Sequence, residues 1–288
     1  MSPDLIQLLV NGIAVGSIIA LASVGLTFTY GILRLANFAH GDLMTLGAYL
    51  TLVANLNGLN IWLSMIVGAI GTILVALICE QLLWAPMRDR RATPTTLIII
   101  SIGLALFLRN GIILFWGGSN QSYDLPITAA LDVWGIRIKY YNLVVVALSA
   151  VVILGLHYLL QHTKTGKAMR AVADNIDLAR VSGIDVERVV IWTWVIAAGL
   201  TALSGGLYGL ITAVRPNMGW FLILPMFASV ILGGIGNPYG AILGALVIGM
   251  VQELSVPLLG AQYKLGVALG MMILVLLIRP QGIFRGTM

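Results

Sequence analysis

The sequence has little charge and almost no cysteine. Asp, Glu, Lys and Arg together make up 9% of the 288 residues, whereas hydrophobic residues make up 59%. Soluble globular domains carry about 25% charged residues, so this composition excludes that class. Cys79 is the only cysteine, which excludes an intramolecular disulfide. Asp4 and no basic residue precede the first apolar run, so we expect no cleavable signal peptide and a retained first span.

Patterns for catalysis and metal binding are also missing. The histidines, His40, His157 and His162, belong to no HExxH motif or Cys/His cluster, and the sequence therefore predicts no metal site. Gly166-Lys167 lacks both the earlier glycine and the following Ser or Thr of a phosphate-binding loop. Because no nucleophile and base stand out as a set, an intramembrane enzyme is the least favoured function.

Long apolar runs recur along the whole chain. A transmembrane helix needs about 20 apolar residues to cross a hydrocarbon core of about 30 Å. The sequence thus predicts an all-α polytopic bundle of about 8–10 spans, forming one membrane domain over residues 1–288. The predicted spans are 5–29, 41–56, 61–83, 94–116, 142–160, 189–213, 220–235, 240–257 and 262–278. The seventh and eighth are short, and a single broken or re-entrant element is the alternative for that pair.

The basic residues predict the orientation, because positively charged loops stay on the cytoplasmic side. They concentrate at residues 88–91, 161–188 and 279–285, three segments that the span order puts on one side. We therefore expect a multi-pass protein of the bacterial inner membrane with a cytoplasmic C-terminus. The other side carries Arg137, Lys139, Arg215 and Lys264. The formal net charge of +5 reflects this topology and does not indicate nucleic acid binding.

Residues 161–188, which we call the elbow, form a hydrophilic segment between two apolar runs. The elbow holds five basic and four acidic residues, so it must lie outside the hydrocarbon. Its apolar residues at helical spacing predict one short amphipathic helix at the cytosolic face, ended by Gly183. That stripe comprises Ala168, Met169, Val172, Ile176 and Ala179. The helix either docks into a groove on a partner or is a solvated loop helix.

Three charged residues lie within spans or at their edges: Glu80, Arg109 and Glu253. Placing a charge inside the membrane costs about 3 kcal/mol or more, so each is expected to mark an ion-pair partner or a water-filled path. We favour the structural interpretation. Glu80 and Glu253 are then close enough to span ends to reach the interface, and Arg109 snorkels or pairs with one of them.

Two interruptions break the apolar pattern. Residues 34–42 contain Asn37, His40 and Asp42, which predict a cytoplasmic turn with Asn37 capping the next helix; a proton relay through His40 and Asp42 is the alternative. Residues 233–238 read Gly-Gly-Ile-Gly-Asn-Pro, and such consecutive helix breakers predict unwound backbone buried in protein or lining a cavity. Small residues four apart elsewhere indicate close helix packing. Faint similarity between residues 20–25 and 202–206 suggests an internal duplication.

Four segments resemble known permeases. Residues 177–183 (Asp-Leu-Ala-Arg-Val-Ser-Gly) are similar to the Glu-Ala-Ala-x-x-x-Gly element through which permeases of bacterial ABC importers contact their ATPases, with Asp for Glu and Leu for the first Ala. Residues 20–41, 233–245 and 279–284 resemble permeases of the branched-chain and neutral amino acid importers. The order and spacing of these segments hold from end to end, so the resemblance covers essentially the whole chain.

This resemblance implies one permease of an importer with two permease chains, two cytosolic ATPases that bind ATP and Mg²⁺, and an extracytoplasmic solute-binding protein. The chain itself would bind no cofactor and hydrolyse nothing. Residues 164–188 would form the coupling segment, with contacts at Gly166, Arg170, Asp174, Asp177, Ala179 and Gly183. The alternating-access path or its gate would include Asn37, His40, Gly233, Gly234, Gly236 and Asn237.

The substrate class is open between two groups in this interpretation. Branched-chain or other neutral amino acids are the preferred substrates, and urea or short amides are the alternative. Permeases for urea or short amides usually carry an extra N-terminal portion that this sequence lacks, so we expect amino acids. A stand-alone proton-coupled transporter or a channel remains the rival from another class, in which charged residues within the spans would couple protons or select ions. The elbow discriminates against it, because such a protein does not require one.

Overall fold

The chain forms a bundle of closely packed helices. The computed structural model describes residues 3–126, 131–133, 136–279 and 281–284. Its α-helices are α1 Pro3–Leu33, α2 Ala39–Leu56, α3 Ile61–Cys79, α4 Ala85–Asp89, α5 Pro94–Trp116, α6 Tyr140–His162, α7 Lys164–Asp174, α8 Ile176–Val181, α9 Val186–Ile211, α10 Met218–Gly233, α11 Pro238–Leu254, α12 Val256–Leu259 and α13 Lys264–Ile278. A π-helical turn, Glu80–Trp84, joins α3 to α4, and strands β1 Leu131–Val133 and β2 Ile136–Ile138 form a small antiparallel hairpin.

The prediction of an all-α membrane bundle is confirmed. Each predicted span coincides with a helix, and the seventh and eighth are two separate helices, α10 and α11, packed against each other. Within the described residues, seven helical segments are long and apolar enough to cross a membrane, and α10 is a shorter apolar helix. The third span is longer than predicted, since helical structure continues through the π-turn to Asp89.

Helix α2 lies inside the bundle. Only Leu50, Val53 and Leu56 among its residues are not buried, so almost none of the helix is available to lipid. Such a helix needs no continuous apolar surface, and α2 accordingly carries His40 and Asp42 as well as several hydroxyl side chains. Neighbouring helices surround α2, whereas lipid surrounds the outer helices, so polar side chains on α2 can find partners within the protein.

Two sets of helices pack in the same pattern. In the first set α1, α2, α3 and α5 follow one another, and in the second α9, α10, α11 and α13 do so. In the first set α2 packs on α3 and α5, and in the second set α10 packs in the same way on α11 and α13. The first helix of each set also contacts the third helix of the other set, since α1 packs on α11 and α9 packs on α3. Helix α1 ends beside the elbow, at the end of the bundle from which α9 begins, so the second set runs in the opposite direction. This arrangement supports the duplication that the sequence suggests.

Glycines allow α1 and α11 to approach closely. A Cβ atom at Gly12 would lie 2.8 Å from the Cα of Met250, and one at Gly16 would lie 3.0 Å from the Cα of Leu246. Any larger residue at these positions would force the two backbones apart. The predicted small-residue packing is confirmed here, and it matters because membrane helices associate through van der Waals contact rather than through the hydrophobic effect.

Candidate coupling site and translocation path

The elbow contains two helices instead of the single one predicted. Helix α7 ends at Asp174, and Asn175 has an extended backbone (φ −156°, ψ 107°) before α8 begins. The Asn175 side-chain oxygen accepts a hydrogen bond from the backbone N–H of Leu178 at 2.9 Å. An asparagine side chain that bonds nearby backbone favours a helix N-cap over a helix interior. The continuous apolar stripe is therefore broken at Asn175.

Helix α7 is held tightly against the end of α6. Thr163 caps it, with its Oγ1 accepting from the Gly166 N–H at 3.0 Å. A Cβ atom at Gly166 would lie 2.5 Å from the Cα of Leu160, so only glycine fits this contact. Met169 and Val172 are buried on the bundle side of α7. These contacts fix the first half of the elbow to the membrane helices.

Helix α8 presents apolar side chains away from the bundle. Leu178 and Val181 are 62% and 81% exposed, whereas Ala179 is buried. Gly183, with φ +83°, follows the C-cap residue Ser182, and its N–H donates to the carbonyl of Arg180 at 3.1 Å. The prediction that Gly183 ends the helix is confirmed. Exposed apolar side chains among charged ones are typical of a surface that a partner covers.

The predicted coupling residues divide between two environments. Gly166 and Ala179 are buried, and a change at either would disturb the packing of the elbow before it disturbed a partner. The charged members and Gly183 are exposed, and the Arg170 Nη1 donates to Gln161 Oε1 at 2.7 Å. Leu178 and Val181 were missed as contact candidates. Both residues lie on the side of α8 opposite the buried Ala179, and this spacing could have identified them in the sequence.

Of the turn predicted at residues 34–42, only Arg34 is exposed, and the rest of the segment runs back into the bundle, where Asn37, His40 and Asp42 are buried. Asn37 is fully buried, and its Oδ1 accepts from the Ala39 N–H at 3.0 Å, as expected of a cap. Its Nδ2 is buried with no hydrogen-bond partner among the described residues. An unpaired buried amide is costly. Asn37 is thus a notable polar group at the start of α2.

His40 links three central helices. Its Nε2 lies 2.9 Å from the carbonyl oxygen of Ala22 on α1 and 2.7 Å from Oγ1 of Thr201 on α9. Since the Thr201 hydroxyl donates to the Ala197 carbonyl at 2.6 Å, the histidine Nε2–H is the donor to both oxygens. The hydrogen bonds of His40 therefore tie α2 to its neighbours, and Asp42 is not its partner in this structure.

Residues 233–238 form a tight turn at the end of the bundle where the elbow lies. Gly234 and Gly236 have positive φ, +100° and +87°, and Asn237 caps α11 by accepting from the N–H groups of Tyr239 and Gly240, each at 3.1 Å. The backbone N–H of Ile283 donates to the Leu232 carbonyl at 2.8 Å. The structure thus does not bring this turn together with Asn37 and His40, which lie inside the bundle.

All three intramembrane charges have partners, although Arg109 has a different one from those predicted. Arg109 Nε and Nη2 each donate to one oxygen of Asp42 at 3.1 Å. Glu80 pairs with Arg88 and also accepts from the Trp194 indole N–H at 2.6 Å. Glu253 pairs with Lys264 at the start of α13. Among the described residues, no group of three His, Cys, Asp or Glu side chains could hold a metal ion.

Comparison with known proteins agrees with this architecture. The family model described as "Branched-chain amino acid transport system / permease component" matches residues 8–276. The chain belongs to this family. The permease protein BraD of the high-affinity branched-chain amino acid transport system of Pseudomonas aeruginosa is 32% identical, over 96% of this chain and 95% of that protein. The corresponding protein LivH of Escherichia coli K12 is 31% identical, over 96% and 94%.

A solved structure shares the fold of this permease. PsaBC from Streptococcus pneumoniae, determined in complex with a Fab, matches with a TM-score of 0.55 and 14% identity, over 96% of this chain and 91% of that one. Together with the apolar helices, the family shows that the permease is a multi-pass membrane protein and a transport component rather than an enzyme. The resemblance found in the sequence is confirmed.

Proposed function

We propose that this permease is the membrane-spanning subunit of an ATP-driven importer of branched-chain amino acids. The observation that carries this proposal is its similarity, over 96% of its length, to permeases of high-affinity branched-chain amino acid transport systems. That similarity favours amino acids over urea or short amides. It also favours an importer subunit over a stand-alone proton-coupled transporter or channel, for which His40 and Asp42, bonded to other groups, give no support.

The elbow is the surface through which the importer's ATPase drives the permease. Leu178 and Val181 on α8 supply the apolar contact, with the exposed groups of Arg170, Asp174 and Asp177 around them. The buried Gly166 and Ala179 support this surface from behind, and Gly183 terminates it. Because α8 leads directly into α9, and α9 packs on α1, α2 and α3, a displacement of residues 164–188 would reach the central helices as one lever. ATP and Mg²⁺ belong to the ATPase chains.

The end of the bundle that carries the elbow faces the cytoplasm. The turn at residues 233–238 and residues 281–284 lie at this same end, which is consistent with a cytoplasmic C-terminus. Arg88, beside Glu80, is also at this end, as the positive-inside rule requires. Arg285, which contributed to the predicted orientation, lies outside the described residues. The solute-binding protein then meets the opposite end, where the β1–β2 hairpin lies, and a second, related permease completes the pore in one membrane domain.

The path or gate includes two separate groups of residues. Asn37 and His40 lie inside the bundle where α2 begins, and the unpaired Nδ2 of Asn37 supports a role there. Gly233, Gly234, Gly236 and Asn237 form the turn at the cytoplasmic end, beside the elbow. Their separation suggests a path element in the middle of the membrane and a hinge at its inner mouth.

The Leu178→Asp substitution tests the coupling surface. An exposed charge at this position should weaken ATPase binding without affecting insertion, because the side chain is 62% exposed and leaves the bundle untouched. The measurement is ATPase retained on the purified permease, together with ATP-dependent leucine uptake in proteoliposomes. Leu258→Asp, at an 87% exposed leucine of α12 at the opposite end, is the matched control for ATPase retention. Full retention and full uptake in Leu178→Asp would show that α8 is not the coupling surface.

A further inference from the structure

Arg109 occupies an unusual position for a charged residue. It lies 15 residues after Pro94 and seven before Trp116 in α5, which corresponds to about 22 Å and about 10 Å from the two ends of the helix. Its side chain is 15% exposed. By contrast, Arg88 and Lys264 pair with their acids at helix ends, where water reaches them. Among the charged residues described within the spans, Arg109 is therefore the cation whose position needs an explanation.

Asp42 and Trp220 hold the guanidinium in one orientation. The two hydrogen bonds to Asp42 use one edge of the group, and the Arg109 Cζ lies 4.6 Å from the centroid of the Trp220 ring, which covers one face. A guanidinium has five N–H donors. The remaining donors have no hydrogen-bond partner among the described residues, and the side chain keeps 15% of its surface exposed.

The surface beside Arg109 carries both polar and apolar side chains. Asn110, the next residue, is exposed at the same depth, and the exposed Leu106 and Ile113 lie on the same side of α5. A partly exposed guanidinium facing hydrocarbon in mid-span would be costly. Charged residues at this depth face the interior of an assembly or a water-filled cavity. This side of α5 therefore faces water or a second permease.

The helix that begins beside Arg109 adds to the positive potential. Helix α10 starts at Met218, two residues before Trp220, inside the bundle: its Gly219 N–H donates to Thr45 Oγ1 of the buried α2 at 3.0 Å. A Cβ atom at Gly41 would lie 2.9 Å from the carbonyl carbon of Gly219, so the first turns of α2 and α10 touch. Helix N-termini that begin at mid-membrane attract anionic groups of substrates in transporters.

We propose that Arg109, oriented by Asp42 and Trp220, binds the carboxylate of the amino acid substrate within the membrane, about 10 Å from the Trp116 end of α5. This inference rests on the proposed function and adds the residue that recognises the substrate. The ammonium group of the substrate has no comparable anionic partner at this site, because Asp42 is fully buried and both of its oxygens accept hydrogen bonds from Arg109. Trp220 and Phe221, 38% and 53% exposed, offer apolar surface to a branched side chain.

The neutralised state of the pair also suits transport. A lone guanidinium at this depth would bind a carboxylate tightly and release it slowly. With Asp42 bonded to it, Arg109 offers directed N–H donors with little net charge, which matches a zwitterion that is itself neutral. A passage site must bind its substrate strongly enough to admit it and weakly enough to let it leave.

The single native cysteine makes this proposal testable by labelling. In a Cys79→Ser background, Arg109→Cys is assembled with its partner chains in proteoliposomes and treated with sulfonatoethyl methanethiosulfonate, which reacts with thiols in contact with water. We expect labelling that slows when leucine, binding protein and ATP are present together. Leu74→Cys on the apolar face of α3 is the matched control and should stay unlabelled. Arg109→Cys that is unlabelled, or labelled equally with and without leucine, would overturn the proposal.

Charge rescue tests whether transport needs a cation at this position, and protection by leucine then separates substrate binding from an ion pair with Asp42 alone. Arg109→Cys should lose leucine uptake and regain part of it after treatment with aminoethyl methanethiosulfonate, which restores a positive charge, and none after the sulfonate reagent. Recovery with both reagents, or with neither, contradicts carboxylate binding by this cation. If Arg109→Cys fails to assemble, Trp220→Cys leaves the ion pair intact, and the same protection by leucine is expected. Absence of leucine uptake by the unsubstituted complex would instead refute the proposed function. Labelling of Arg109→Cys without leucine, compared with unlabelled Leu74→Cys, does not depend on that function.

Discussion

Breaking the Asp42–Arg109 pair from one side or the other should have unequal effects on stability. Arg109→Gln leaves the Asp42 carboxylate buried at 0% exposure without a cation, and removal of one member of a buried pair costs about 3–5 kcal/mol. Asp42→Asn leaves Arg109 with its Trp220 contact and its 15% exposed edge, so the expected cost is smaller, about 1–3 kcal/mol. The double variant removes both charges and should cost less than Arg109→Gln alone.

The free energy of unfolding in mixed detergent micelles measures this double-mutant cycle. The coupling between the two positions should be clearly non-additive, because they share one ion pair. Lys264→Gln is the matched control. Lys264 is 34% exposed in its pair with Glu253 at a helix end, and such pairs contribute about 1 kcal/mol or less. Additive costs for the two single variants, or a larger cost for Asp42→Asn than for Arg109→Gln, would refute the reasoning.

Two further predictions each have a control within the chain. Trp194→Phe removes the indole donor to the buried Glu80, so we expect a loss of about 1–3 kcal/mol of unfolding free energy. The control is Trp84→Phe, which should cost distinctly less because the Trp84 ring nitrogen is buried without a partner among the described residues. Equal losses for the two variants would contradict the hydrogen bond between Trp194 and Glu80. Gly41→Ala should destabilise the permease by about 1–3 kcal/mol through overlap with the α10 backbone. Gly103→Ala, with no atom within 4 Å of the new methyl group, should be neutral or stabilising in a thermal unfolding assay, and equal destabilisation by both would exclude the close approach.

Most of the membrane-spanning architecture could be predicted from the sequence. The outer helices α3, α6 and α13 are largely continuous apolar runs, because apolar side chains are what hydrocarbon tolerates. Their predicted positions match the structure within a few residues. The elbow was recognised for the converse reason, since its charged residues cannot enter the hydrocarbon. Its break at Asn175 was missed because helical spacing continues through an asparagine that in fact caps the second helix.

The charge partners could not be predicted. Arg109 was matched with Glu80 or Glu253 because these acids lie in apolar runs, yet its partner is Asp42, 67 residues away in the chain. Asp42 was assigned to a surface turn together with Asn37 and His40. The segment between α1 and α2 instead runs back into the bundle, and all three side chains are buried. Spacing along the chain carries no information about which helices meet at the same depth.

Composition and pattern alone determined that this protein is a helical membrane protein with one hydrophilic elbow, since the bilayer imposes its requirements residue by residue along each span. Only the tertiary structure decided what the polar residues do. The return of residues 34–38 into the bundle places Asp42 beside Arg109, and the glycines of α2 and α10 let two helix N-termini meet there. These contacts depend on packing between distant helices, where a buried charge is stable only if another part of the fold supplies its partner.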